Sequence, residues 1–270
     1  MQHLAPLLQA MNSISLQEMG AVKMMNRIDT KYLLNKRQLY EALALIKDDY
    51  MVQTIGGDAI APYHTLYFDT QDVEMYTVHH NRKLTRQKLR VRTYRQNNTT
   101  FFELKNKNNR GKTKKTRIPV DLNDFDSCLA LPEVAGFVVQ NTPYSVGSLL
   151  PHVENFFNRI TLANNALTER VTIDSDICFQ NRHTGIGCNA VTDLVIVEVK
   201  QDPTQRANSP IANAFQQLRI QPRRISKYCL GTVLTNPNAK YNRFKQKIRY
   251  IDKLIDNEQL NLFFSSDLRP

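Results

Sequence analysis

The segment from Lys88 to Arg117, KLRVRTYRQNNTTFFELKNKNNRGKTKKTR, places cations at every second position of successive strand-like runs. Side chains alternate across a strand, so Lys88, Arg90, Arg92 and Tyr94 share one face while Leu89, Val91 and Thr93 take the other. In the next run Glu103, Lys105 and Lys107 lie opposite Phe102 and Leu104. The turn-rich NKNNRG reverses the chain, and Lys115 and Arg117 return on one face with Lys114 and Thr116 on the other. Like charges aligned side by side repel, which suits such a face to holding an anion. A solvated sheet surface also carries Lys and Arg. Against that plainer account, the row is rich in Arg, has few neutralising acids, and recurs far along the chain in Arg159, Arg170, Lys200 and Lys227. Anion binding is the favoured reading.

Bulk composition narrows the partner. The chain has 270 residues, a net charge of +11 and a pI near 9.5, which point to a polyanion: a phosphate-rich ligand, nucleic acid or an anionic membrane surface. With 41% hydrophobic residues and 9 glycines a sizeable core is available, and one recurring pattern favours a single domain over 1–270. Cys128, Cys178, Cys188 and Cys229 are widely spaced without a CxxC pair, so they suggest reduced thiols, neither a zinc site nor a disulfide framework. The N-terminus has no signal-peptide pattern and no apolar run approaches the ~20 residues of a membrane span, so a soluble, cytoplasmic protein is expected.

The elements that must carry these cations are legible as periods of two and of three to four. Leu4 to Met19 is expected to be a helix, the main part of an N-terminal flanking helix over 1–20, and 241–256 a basic C-terminal one. Between them, strands are expected at Lys31–Leu34, Tyr63–Phe68, Phe156–Leu162, Leu167–Cys178 and Asp193–Lys200, and helices at Lys36–Asp49, Asp72–Asn81, Asp121–Gln140 and Ile211–Leu218. The Asp121–Gln140 helix is interrupted near Pro132. Apolar strand faces need helices outside, so the charged faces turn toward each other or toward water. A sheet rolled into a barrel joins them around a polar, positive bore.

Other signals carry less. GKT at Gly111–Thr113 lacks the first glycine of a P-loop and lies in a hairpin. The six histidines show no ligand spacing. Asp174 and Asp176 form a DxD that reads more readily as a strand end than as a metal pair, and Glu103 is explained equally by a metal or by a neighbouring cation. Tyr63, Tyr67, Phe101 and Phe102 are expected in the core rather than as a stacking platform.

In order along the chain, KLRVRTY, FFELK, KTR, ERVTID, VIVEVK and SKY resemble the VTC domain of polyphosphate polymerases, within the triphosphate tunnel metalloenzyme superfamily, from about Arg27 to about Leu230. The resemblance implies an α+β fold, an antiparallel β-barrel tunnel with helices packed outside, whose bore binds a triphosphate or a linear polyphosphate with a divalent metal. The phosphate-binding residues implied are Lys31, Arg90, Arg92, Lys105, Lys115, Arg159, Arg170, Lys200 and Lys227; of these Arg90, Arg92, Lys105 and Lys227 are the catalytic set, and Glu198 the metal ligand for Mn²⁺ or Mg²⁺. A one-residue shift would exchange Lys115 for Lys114 or Arg117. The wider branch with triphosphatases and cyclases carries ExExK on its first strand, where this chain has Arg27, Ile28, Asp29, Thr30 and Lys31. That departure resembles the polymerase branch. The implied reaction moves the γ-phosphate of ATP onto inorganic polyphosphate. Triphosphate hydrolysis and non-catalytic binding of polyphosphate or nucleic acid are the alternatives. Nucleic acid is the less favoured partner, and a membrane partner stays open.

Overall fold

The computed structural model describes residues 4–20 and 27–255, with the side chains of 205–207 left aside. In chain order the elements are α1 (Ala5–Gln9), β1 (Asn12–Ser15), α2 (Leu16–Met19), β2 (Ile28–Asn35), α3 (Lys36–Ile46), β3 (Tyr50–Thr54), β4 (Ala61–Asp69), α4 (Glu74–His80) and β5 (Arg86–Tyr94). They continue with β6 (Thr99–Lys107), β7 (Thr113–Val120), α5 (Pro132–Asn141), β8 (Leu150–Asn164), β9 (Glu169–Asn181), β10 (Gly187–Cys188), β11 (Leu194–Gln201), α6 (Pro210–Gln217), α7 (Lys227–Thr235) and α8 (Lys245–Ile255).

The strands form one sheet in the order β2-β11-β9-β8-β4-β5-β6-β7, every neighbouring pair antiparallel. β3 pairs with β8 and with β1, and β10 with β9. The strand path is open at β2 and β7, and the sheet is curled.

Alternation decides which face is wet. Val195, Val197 and Val199 of β11 join Val171, Ile173, Ile160 and Leu162 on the convex side, under Leu39 and Leu43 of α3 and Ile211 and Phe215 of α6. The α3 helix starts where Asn35 and Gln38 cap each other's backbone N–H. Farther round, Leu89 and Val91 of β5 with Phe102 and Leu104 of β6 lie under Val134, Phe137 and Val138 of α5. With both apolar rows covered by helices, the alternate row of every strand faces the hollow of the curl.

One helix breaks that pattern. α7 packs on the concave side at one end, where Tyr67, Phe157, Ile177, Phe179 and Ile196 meet Tyr228, Leu230 and Val233. Tyr67 is in register with Arg90, and its ring centroid lies 5.0 Å from that of Tyr228. The approach is close because residue 231 is glycine: a Cβ there would stand 2.6 Å from Phe179 Cδ1 and Val153 Cγ1.

The structure corrects three local expectations. Leu4–Met19 is not one helix: Ser15 and Glu18 form a capping box that starts α2 afresh, and Asn12–Ser15 before it pairs in parallel with β3. Residues 1–3 and 256, which belong to the expected flanking helices, lie outside the described residues. Asp121–Gln140 is α-helical only from Pro132, after short 3-10 turns at Leu122–Asp124 and Cys128–Ala130, because proline is favoured in the first turn and disfavours α-helix in the residue before it. The DxD ends no strand: Asp174 and Asp176 both lie inside β9, where a positive φ of 51° at Asp176 accompanies a register shift against β8. β3 and α7 were not anticipated.

Candidate functional site

Register builds the site rung by rung. Lys88, Lys105 and Lys115 stand abreast on β5, β6 and β7, and Arg90, Glu103 and Arg117 form the next rung. On the far side of the sheet Lys31 is opposite Glu198, and Lys200 lies between Asp29 and Arg170. Between these two groups Arg159 faces Asp174 on one side and Ala61 on the other. All ten expected site residues thus share the concave face or, for Lys227, reach into it from the first turn of α7. Register separates the β7 alternatives by position: Lys114 has the opposite parity to Lys115, whereas Arg117 shares the Lys115 face, its guanidinium 4.1 Å from the Phe101 ring centroid.

Three carboxylates each hold two cations. Arg159 donates from Nε and Nη2 to the two oxygens of Asp174 at 2.6 and 2.7 Å, and Lys227 pairs with the same carboxylate. Arg90 donates from Nε and Nη2 to Glu103 at 2.8 and 2.6 Å, with Lys115 as its second partner. Glu198 pairs with Lys31 and Lys200. Such paired, planar arginine contacts fix direction as well as charge. Asp174 is the residue sequence reasoning undervalued, while Glu103 pairs with neighbouring cations, one of the two readings its strand allowed. Their charge-rich strands were visible, but their partners lie on other strands.

Cations remain in excess. Among the described residues Lys88, Arg92 and Lys105 have no carboxylate within salt-bridge distance. Arg92 donates to Thr65 Oγ1 at 2.9 Å and lies 5.6 Å from the ring centroids of Tyr63 and Phe157. Arg159 and Lys227 flank the same Phe157 ring at 5.3 and 4.2 Å. Phe101 is therefore a wall residue that supports a guanidinium group, not core as expected, and Tyr63 does the same while packing against the core under α7. Phe102 is core, and Tyr67 lies under α7. Lys88 donates to Ser226 Oγ at 2.7 Å, next to the start of α7. Arg170 donates to Met19 O at 2.9 Å, which holds it toward the N-terminal segment.

The electrostatics follow from crowding like charges inside protein walls. Burial first, then Lys105 and Lys227, bring Lys31 down to about 7. Burial, Lys88 and Arg90 bring Lys105 to about 8. Lys227 also falls to about 8, because burial and Arg159 outweigh Asp174. Lys200 lies well below its ordinary range, chiefly through burial. Burial would raise the carboxyl of Glu103, yet Arg90, Arg92 and Lys115 hold it at about 2, and Arg159 and Lys227 overcome the burial of Asp174 in the same direction. Tyr67 is lowered to about 8 because Arg90, Arg92 and Lys88 outweigh its burial.

No three His, Cys, Asp or Glu side chains among the described residues converge as a metal-ligand set. Glu198, with Asp29 diagonal to it across the β2–β11 ladder, gives the donor set of a hard cation that takes one or two carboxylates and completes its shell with phosphate oxygens and water. Glu198 is paired with Lys31 and Lys200, and Asp29 with Arg27, so these carboxylates fit a divalent ion only together with a phosphate ligand that takes over their cations.

Comparison with known proteins gives a family and a fold. The family model of the VTC domain matches residues 26–236. No curated protein matches the chain. Among solved structures, a candidate adenylate cyclase from Bacillus halodurans aligns with TM-score 0.50 and 15% identity, over 82% of this chain and 97% of its own. A candidate adenylyl cyclase from Hippeastrum, described with a dominant triphosphatase activity, aligns with TM-score 0.48 and 16% identity, over 76% of this chain and 94% of its own. The first likeness shows a shared curled-sheet tunnel fold. Among the described residues, no helix is long and apolar enough to cross a membrane.

Proposed function

Because the chain belongs to the VTC domain family, we propose that its bore is a phosphotransferase site that moves the γ-phosphate of ATP onto the end of an inorganic polyphosphate chain. The observation that carries this reading is the cation excess: Lys88, Arg92 and Lys105 face the hollow without a carboxylate, beside Lys31, Lys200 and Lys227. A row of phosphates supplies the missing negative charge.

Phosphoryl transfer passes through a loose transition state, so positioning and charge neutralisation do most of the work. Arg90, Arg92 and Arg159 orient non-bridging oxygens with planar forks, already held in place by Glu103, Thr65 and Asp174. Lys105, Lys200 and Lys227 add point charges along the chain. A terminal phosphate oxygen of the polyphosphate forms a bond to the γ-phosphorus. The bond from that phosphorus to the β–γ bridging oxygen breaks, and the leaving ADP carries the electron pair. Glu198 and Asp29 are the residues that would hold Mn²⁺ or Mg²⁺, which would supply further charge neutralisation when bound.

Hydrolysis needs water made nucleophilic, and the two most buried carboxylates of the bore are poor bases for it. Glu103 and Asp174 are both held strongly acidic by their cations, and so weak a base takes a proton from water poorly. A polyphosphate terminus is already ionised near neutral pH and needs no such help. This contrast favours transfer over triphosphate hydrolysis. Binding without turnover is the second reading, since both neighbours of Glu198 are lysines that already occupy it.

The test is incubation with γ-labelled ATP and Mn²⁺, products resolved by size, with Glu198→Ala as control. Labelled long chains digestible by a polyphosphatase support the transferase. Free phosphate alone moves the assignment to triphosphatase, and unchanged ATP with tight polyphosphate binding moves it to a binding module.

A further inference from the structure

The cationic face runs past the bore. On β5 the row continues from Arg92, Arg90 and Lys88 to Arg86, a strand length of about 20 Å, and Arg86 stands opposite Lys107 of β6. A ligand of three phosphates is too short to span that row. Beyond the sheet, residues 222–224 are anchored beside β2, where the backbone N–H of Arg223 donates to Lys31 O at 2.7 Å. Arg223 also lies 4.2 Å from the ring centroid of Tyr250 on α8. Lys88 Nζ donates to Ser226 Oγ at 2.7 Å and the backbone N–H of Arg243 donates to His80 Nε2 at 3.4 Å, which hold the segments that carry Arg224 and Lys247 against β5 and α4. Beyond burial, Lys107 is acted on by Arg86 and Arg224, and Lys247 is further lowered by Arg82 and Arg224.

His79 of α4 adds an independent sign. Its Nδ1 is buried and has no hydrogen-bond partner, and after burial the charges that act on it are Lys88, Arg86, Lys247 and Lys107, all positive. Packing cations together around an imidazole kept neutral stabilises nothing in the unliganded fold. A polyanion leaving the bore along β5 relieves the repulsion. The rings nearby offer no open stacking platform of the kind single-stranded nucleic acid uses: Phe244 is buried and Tyr250 is covered by Arg223.

We propose that Arg86, Lys107, Arg224 and Lys247 form a second anion subsite, outside the bore, for the part of a linear polyphosphate chain beyond its first three phosphates. The proposal rests on the reading of the bore as a polyphosphate site and adds the end by which the chain leaves it.

The experiment compares calorimetric binding of tripolyphosphate and of long-chain polyphosphate to the wild type and to the double variant Arg224→Gln/Lys247→Gln, with Arg224→Lys/Lys247→Arg as the charge-conserving control. Long chains are expected to bind the wild type more tightly than tripolyphosphate. The Gln pair should lose about tenfold for long chains, as expected for two solvated charge contacts, while its tripolyphosphate affinity stays within about twofold and the control keeps both. Each lost phosphate contact should also reduce the slope of log affinity against log salt by about 0.7. An equal loss for both ligands, or no gain with chain length in the wild type, overturns the subsite and leaves the bore reading intact. If tripolyphosphate binds neither protein, both readings fall. A single-stranded oligonucleotide that binds more tightly than polyphosphate through Arg224 and Lys247 also overturns the proposal, in favour of nucleic acid.

Discussion

Lys31 on β2 and Lys105 on β6 lie near opposite ends of the strand order, yet the charge of Lys105 lowers the proton affinity of Lys31 across the hollow of the sheet. Curling the sheet therefore concentrates charge that the sequence distributes over more than seventy intervening residues. The unliganded fold carries that repulsion, and an anion removes it.

The first prediction is a pair of opposed pH dependences. Lys31 is lowered to about 7, and Lys105 and Lys227 to about 8, from an ordinary value near 10.5. Between about 7 and 10.5 the unfolded chain holds more protons than the folded one, so stability of the unliganded protein rises with pH across that window. Below it the full cost of the charged lysines is present. Anion binding favours the ammonium forms, so it takes up protons, and affinity falls as pH rises from about 7 to 9. Calorimetry of tripolyphosphate binding at pH 8 in two buffers of different ionisation enthalpy measures the uptake. Zero uptake with a flat affinity profile would refute the account.

The second concerns Glu198, which is gripped by Lys31 and Lys200. Glu198→Gln keeps the shape and removes the charge. Turnover is expected to fall by at least about tenfold and its Mn²⁺ dependence to be lost. The pairs are partly open to solvent, so stability should drop by only about 1 kcal/mol. Metal-free tripolyphosphate binding should stay equal or tighten, because a repelling carboxylate is gone. Weakened metal-free binding would show that Glu198 serves to position lysines rather than to hold a metal.

The fold was legible wherever one strand carried both signals. In β5, β6 and β11 the apolar row and the cationic row alternate within a few residues, so Leu89 and Val91, Phe102 and Leu104, and Val195 and Val197 announce which face is dry. The α7 helix gives no such announcement. Tyr228 through Thr235 are all buried, and a helix apolar on every side has no stripe to reveal which way it faces. The counter-ions were hidden for another reason. Asp174 acquires its role from Arg159 on β8 and Lys227 on α7, and Glu103 from Arg90 and Lys115 on the strands either side. Those meetings depend on register between strands, which hydrophobic periodicity within a strand does not specify.

The third prediction separates Asp174 from Glu198. Asp174 is only 4% exposed and holds both Arg159 and Lys227. Asp174→Asn leaves two cations buried together, a loss of about 3–5 kcal/mol, which corresponds to on the order of 10 °C in Tm for a chain of this size. Tripolyphosphate can return the missing negative charge. Its stabilising effect on Tm should therefore be larger in Asp174→Asn than in the wild type. A smaller effect would mean that the ligand does not reach Arg159 and Lys227.

The last prediction tests whether α7 is a positioning device. The helix begins at a Ser226 cap that accepts the Cys229 N–H, and its first residue, Lys227, reaches Asp174 inside the bore. Its depth is set farther along, where Gly231 lies against Phe179 and Val153. A methyl group 2.6 Å from each must push the helix away from the wall, at an overpacking cost of about 1–3 kcal/mol. Because Lys227 and Gly231 are one helical turn apart, that displacement carries the ammonium with it. Gly231→Ala should thus lower anion affinity and turnover as well as Tm, although residue 231 touches no ligand. A companion Lys227→Ala variant distinguishes displacement from general destabilisation. In that background the Gly231→Ala substitution should still lower Tm but should have little further effect on affinity, since the group it moves is absent. Additive losses of affinity in the double variant would show that α7 does not act through Lys227.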